Sequence, residues 1–104
     1  MSTDARWVLA KEYADPLRPD EIVGIYASDR EAQLAAEEDG DLLFAGPWIR
    51  TTYSYCWPAY QAALPRGQGV AWIVRVSPEL AEMVRLAGEL WGLDSGPDAV
   101  TPLR

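Results

Sequence analysis

The residues from Thr51 to Tyr60, TTYSYCWPAY, hold three tyrosines, a tryptophan and the chain's only cysteine. A catalytic Cys56 would need a neighbouring base or cation to lower its thiol pKa. The chain contains no histidine, which removes histidine general acid–base catalysis and the Ser-His-Asp and Cys-His nucleophile systems. Cys56 therefore reads as a small strand residue. A structural zinc site needs four Cys or His ligands, and one is present. The acidic run EEDGD, Glu37 to Asp41, offers oxygens for Ca²⁺ or Mg²⁺, but not at the alternating positions of an EF-hand loop. It reads as a solvated helix end. Arg66-Gly67-Gln68-Gly69 lacks a GxGxxG or Walker pattern and precedes a strand rather than a helix, so it reads as a turn. No carboxylate pair is singled out by an apolar setting. The expectation is a protein that is not an enzyme, with no metal and no cofactor.

Charge narrows the partners. Sixteen acidic residues against nine basic ones give a net charge of −7. The arginines are scattered at positions 6, 18, 30, 50, 66, 75, 85 and 104, and Lys11 is the sole lysine. Nucleic-acid affinity needs clustered cations to neutralise phosphates, so no direct nucleic-acid binding is expected. Acidity instead suits a basic protein partner, although the same charge also serves solubility. No apolar run approaches the roughly 20 residues that span a bilayer, and no secretory signal is visible at the start. A single cysteine fits a reducing compartment. Cytoplasmic is the expected location.

The elements that position these residues can be read in turn. A chain of 104 residues suits one domain, residues 1–104, with 93–104 a polar tail. RWVLAKEY, Arg6 to Tyr13, is rich in strand formers, and EIVGIYAS carries a buried strand from Ile22 to Ala27. Gly24 in that strand signals close approach of a neighbour or a bulge. Ser28 with Glu31 forms a capping box, with Glu31 expected to reach back to the Ser28 amide. It opens a helix from about Asp29 to Asp39, stopped at Gly40, with Ala32, Leu34, Ala35 and Ala36 on its apolar stripe. A third strand is expected from Trp48 to Cys56, ended by Pro58, and PAYQAALPRGQG reads as a helical turn plus a loop. Val70 to Val76 is the last strand. Ser77-Pro78-Glu79 starts a second helix, with the stripe Leu80, Met83, Val84, Ala87 and Trp91, closed at Gly92. The order ββαββα implies an α+β two-layer sandwich: a mainly antiparallel four-stranded sheet with both helices on one face. The β2-α-β3 unit could form a right-handed parallel crossover.

Strand alternation places Ile49, Thr51, Tyr53, Tyr55 and Trp57 on one face and Trp48, Arg50, Thr52, Ser54 and Cys56 on the other. Aromatics usually fill a sheet's core, yet five tryptophans and five tyrosines exceed what a core this small requires. Tyr and Trp also anchor interfaces. The leading expectation is an acidic interaction module, an adaptor, inhibitor or regulatory accessory protein. Trp48, Tyr53, Tyr55, Trp57 and Tyr60 would contact a partner, and Glu37, Glu38, Asp39 and Asp41 would steer it. The alternative is a small-molecule-binding domain or minor enzyme whose aromatic-lined pocket takes polar groups from Arg50, Thr51, Cys56 and Arg75. A concave pocket holding an arginine favours that alternative, and a flat aromatic patch favours the interface. A homodimer built on the aromatic strand is the third reading.

Val8, Leu9 and Tyr13, followed by Val23, Gly24, Tyr26, Ser28 and Ala32, resemble the start of a group of small bacterial and phage proteins. The group's pattern is V-x-L-x-x-x-Y, an acidic loop, then I-G-x-Y-x-S-x-x-x-A opening a helix. Here Val8 and Leu9 are adjacent where the pattern separates them. The resemblance covers the first third of the chain and implies a β-β-α start. It implies no function and assigns no site; the small size and the lack of catalytic groups are what would suit an accessory protein of a bacterium or phage.

Overall fold

The computed structural model describes residues 5–53 and 57–88. Five strands form one antiparallel sheet: β1 (Arg6–Tyr13), β2 (Glu21–Tyr26), β3 (Ile49–Tyr53), β4 (Trp57–Ala63) and β5 (Gly69–Val76), in the spatial order β2-β1-β5-β4-β3. Helix α1 (Asp29–Glu37) lies between β2 and β3 in sequence, and α2 (Pro78–Ala87) follows β5. The α+β class and the antiparallel sheet agree with expectation. The strand count does not, because PAYQAA belongs to β4 and not to a helical turn. Of the strand expected from Trp48 to Cys56, Ile49–Tyr53 forms β3, and residues 54–56, with Ser54, Tyr55 and Cys56, lie outside those described. Pro58 sits inside β4, opposite Thr52 of β3, at the end of the strand where pairing to β5 has not begun. Its missing N–H is tolerable there, where β4 has one neighbour.

The helices sit on opposite faces, which corrects the two-layer expectation to three layers. Ala32 and Ala36 of α1 pack with Leu9 and Ile73, whereas Leu80, Ala81 and Val84 of α2 pack with Val8 and Val74. Successive strand residues point to opposite faces, so Val8 and Leu9 feed different cores. This explains why four consecutive residues of β1, Val8 to Lys11, and four of β5, Ala71 to Val74, are all buried. A sheet covered on both sides reads as an unbroken apolar run instead of an alternating one. Strands β2 and β3 occupy opposite edges. The chain through α1 therefore crosses the whole sheet and does not link neighbours.

Local signals place the helix ends. The Ser28 hydroxyl accepts from the Glu31 N–H at 3.1 Å, while the Glu31 carboxylate accepts from the Ala27 N–H at 3.4 Å, one residue before the amide expected. In α1 the buried residues are Ala32 and Ala36, and Leu34 is exposed. Small alanines let the helix lie close to the sheet. Helix α2 is capped by Ser77, whose hydroxyl accepts from the Leu80 N–H at 3.2 Å. It ends at Gly88, not Gly92, with a left-handed φ of 72° and its N–H bonded to the Val84 carbonyl. Glycine adopts that conformation without the steric cost of a side chain. Its buried stripe is Leu80, Ala81 and Val84, with Met83 and Ala87 exposed. Trp91, Gly92 and the tail 93–104 lie outside the described residues. In β2 the register slips between Leu9 and Ala10, which leaves Val23 as the extra residue of a bulge. The Tyr26 phenol fills the space a side chain at position 24 would need, so both readings of Gly24 hold.

Candidate functional site

The aromatic set divides between the two faces. Tyr53 is buried on the α2 face, its ring meeting Trp72 edge-on with centroids 4.7 Å apart. Half-buried Trp57 packs against the same core, directly opposite Tyr53 across the β3–β4 ladder. Trp48 and Tyr60 pack on the other face, against the α1 core. The Tyr60 ring lies 6.1 Å from that of Trp7, and its hydroxyl donates to Asp29 at 3.1 Å. That bond, with burial, raises the Tyr60 pKa above the usual tyrosine value. The structure therefore divides the aromatics expected to contact a partner: Tyr53 is core, and Trp57 on one face and Trp48 and Tyr60 on the other are half-buried. Tyr55 lies outside the described residues.

The acidic turn divides as well. Glu37 and Glu38 are exposed. Asp39 and Asp41 face inward to the chain's one lysine. Lys11 is 4% exposed, and its ammonium lies 3.0 Å from Asp39, 3.4 Å from Asp41 and 3.9 Å from Glu21. Asp39 also accepts from the N–H groups of Asp41 and Leu42, at 2.9 and 3.1 Å, which closes the turn after α1. Burial by itself would raise the Asp39 pKa. The Lys11 ammonium and the two backbone donors outweigh it, and the carboxyl is held below the usual range. For Lys11, burial pulls downward, but the bond to Asp39 and the charges of Asp39 and Glu21 hold the ammonium above the usual lysine value. Beside it, burial and a 2.9 Å hydrogen bond to Glu21 raise the Tyr13 pKa. This cluster ties β1 to the end of α1. Asp39 and Asp41 are committed to it and are poor candidates for steering a partner.

The groups named for an aromatic-lined pocket do not converge. Arg50 and Thr51 are exposed on β3, Arg75 is exposed on β5, and Cys56 lies outside the described residues. Concave surface occurs at the other end of the sheet, on either side of the β4–β5 turn. One cleft of about 260 Å³ is lined by Tyr13, Asp15, Arg18, Arg66 and Gln68, among others. A second, of about 380 Å³, is lined by Asp41, Phe44, Pro65, Arg66 and Gln68, among others. Among the described residues no three His, Cys, Asp or Glu side chains are grouped to hold a metal, and no helix is long and apolar enough to cross a membrane.

Two features escaped the sequence reading. The first is the edge strand β3, in which Ile49, Arg50, Thr51 and Thr52 are all exposed; its polar composition, RTT, was a usable signal. The second is the lysine cluster, signalled by the chain's single lysine placed directly after the apolar run Trp7–Ala10. Compared with known proteins, the chain matches no family model, no curated protein and no solved structure.

Proposed function

We propose that the protein is a non-enzymatic interaction module that receives an extended segment of a partner protein along β3. The observation that carries this reading is the exposure of four of the five β3 residues at an edge of the sheet. An edge strand presents unpaired backbone donors and acceptors, and strand addition uses them for affinity while flanking side chains select the partner. Trp48 precedes the strand, and Trp57 stands beside its end. Both are half-buried, so each retains surface for a partner side chain. The net charge of −7 favours a basic partner, with Glu37 and Glu38 the members of the acidic turn left free to attract it. The absence of histidine supports a role in binding over one in catalysis.

Photocrosslinking tests the assignment. A photoreactive residue replacing Arg50 is compared with one replacing Glu79, exposed on α2. The expected result is a discrete crosslinked protein from position 50 alone, lost when Ile49→Lys is added. A product of twice the chain mass would identify a second copy as the strand donor. Equal products from both positions, or none from position 50, would sink the proposal.

A further inference from the structure

We infer that the cleft between Arg18 and Arg66 is a binding site for a small oxyanion, a carboxylate or phosphate group. Arg18 and Arg66 both line the 260 Å³ cleft, and neither has a carboxylate within ion-pairing reach among the described residues. What sets Arg18 and Arg66 apart is that both line the same cleft, so two guanidinium groups meet at one concave surface. The contrast with Lys11, three carboxylates around one ammonium at the same end of β1, shows that acids were available nearby.

Each arginine is held for the task. The Arg18 guanidinium carbon lies 3.7 Å above the centre of the Tyr13 ring. That cation–π contact fixes the group's plane while leaving its N–H donors free. The Tyr13 hydroxyl is engaged by Glu21, so the ring under Arg18 is itself anchored. Arg66 occupies the first central position of the β4–β5 turn with φ 61° and ψ 27°, and Gly67 follows at φ 66°. The Gln68 N–H bonds to the Pro65 carbonyl across them at 3.3 Å, and the Leu64 N–H to the Gly69 carbonyl at 2.9 Å. Two left-handed residues in succession make a type I′ hairpin turn, whose first central position favours Asn, Asp or Gly. An arginine there holds a left-handed backbone that asparagine or glycine would adopt at lower cost. Asparagine would make the turn better. Arginine makes it able to bind.

The other lining groups fit. Asp15 is the one carboxylate among the described residues that line this cleft, and its side chain accepts from the Leu17 N–H at 2.9 Å, so two cations face one engaged acid. Gln68 lines both clefts through the turn that carries Arg66. The guanidinium fork matches the paired oxygens of carboxylate or phosphate. This site lies at the β1–β5 end of the molecule and is independent of the β3 edge.

NMR titration of the full chain with inorganic phosphate and, separately, with acetate tests it, using chloride at matched ionic strength as control. Saturable shifts are expected at the amides of Gly67 and Gln68 with phosphate, acetate or both, and not with chloride; whichever probe binds more tightly identifies the class. Arg66→Asn is expected to weaken binding roughly tenfold, the loss of one charge-assisted contact, while its melting temperature stays the same or rises. Arg18→Gln, at an exposed loop position, should weaken binding without altering the fold. Shifts no larger than those with chloride, or unchanged affinity in both variants, would overturn the site.

Discussion

The two halves of the sheet are built differently. In the β2-β1-β5 half, a helix covers each face, and Val8, Leu9, Ile73 and Val74 are the largest fully buried side chains. At the far edge, β3 buries one residue of five. Both helices make their main contacts with the first half: α1 with β1, β2 and β5, and α2 with β1 and β2. Stability therefore concentrates where the sheet is sandwiched, and the four exposed residues of β3 contribute little to it beside buried Tyr53. A single antiparallel sheet can carry a rigid half and a usable half when its helices are both drawn to one side.

The sharpest test of that division is Leu9→Ala. Leu9 is fully buried among Ala32, Ala36 and Ile73, and its removal leaves a cavity beneath an alanine-faced helix that has no long side chains to collapse into it. The expected loss is about 2–5 kcal/mol, measured as a shift in urea midpoint at unchanged slope. Thr51→Ala on β3 should fall within about 0.5 kcal/mol. Similar losses at the two positions would break the comparison.

What the sequence revealed follows the same division. The runs Val8–Ala10 and Ala71–Val74 were legible as strands, and Ser28 and Ser77 marked both helix starts, because strand burial and caps are local signals. The second covered face was not legible. An apolar run records burial on both sides, but which element supplies each side depends on how the chain crosses the sheet. β4 was missed because Pro58 and the alanines of PAYQAA are weak strand formers. They are held as strand by β3 and β5 on either side, a tertiary effect that overrides propensity. The aromatic stretch misled for a related reason. Read as one strand, it puts Tyr53 and Trp57 on one face; they do share a face, but as partners across two strands. Tyr60, later on β4, turns to the opposite core.

The second largest effect is expected at the lysine cluster, which decides whether the sandwiched half is held by packing alone. Lys11→Met leaves Asp39 facing Asp41 without the ammonium. Removing one partner from a fully buried pair costs about 3–5 kcal/mol. Asp39 retains two backbone bonds and some solvent contact, with 21% of its side chain exposed, so the loss should be roughly 1–3 kcal/mol. Adding Asp39→Asn should recover part of it. Strictly additive losses would mean that the two residues do not couple. The pH dependence follows from the same groups. Asp39 is depressed in the folded chain, so its contribution is present above the unfolded pKa of roughly 4 and is lost as pH falls through the folded value. Lys11 and Tyr13 are raised, so theirs are present below roughly pH 10 and are lost as pH climbs through the folded values. Thermal melts should show a plateau between these limits, and Lys11→Met should remove much of the alkaline fall.

A smaller loss is expected from Ser28→Ala. Helix α1 buries little beyond Ala32 and Ala36, so its start depends on the Ser28 hydroxyl accepting from Glu31. The loss should be about 1 kcal/mol and should appear in hydrogen exchange as earlier opening of α1 relative to β1 and β5. Equal opening of all three would mean that the helix and sheet unfold as one unit.

The smallest effect on stability, and the most informative about role, is expected of Ile49→Lys. Ile49 is 61% exposed at the start of β3, so the substitution removes little buried surface and should change the urea midpoint by no more than about 0.5 kcal/mol. A lysine on an edge strand is also a common guard against strand addition. If β3 receives a partner strand, Ile49→Lys should abolish the crosslink from position 50 while the melt is unchanged. If the wild-type chain sediments as a dimer and the variant as a folded monomer, the strand that docks there belongs to a second copy. A large loss of stability would instead mean that Ile49 is covered in solution and that the β3 edge belongs to the sandwiched part of the molecule.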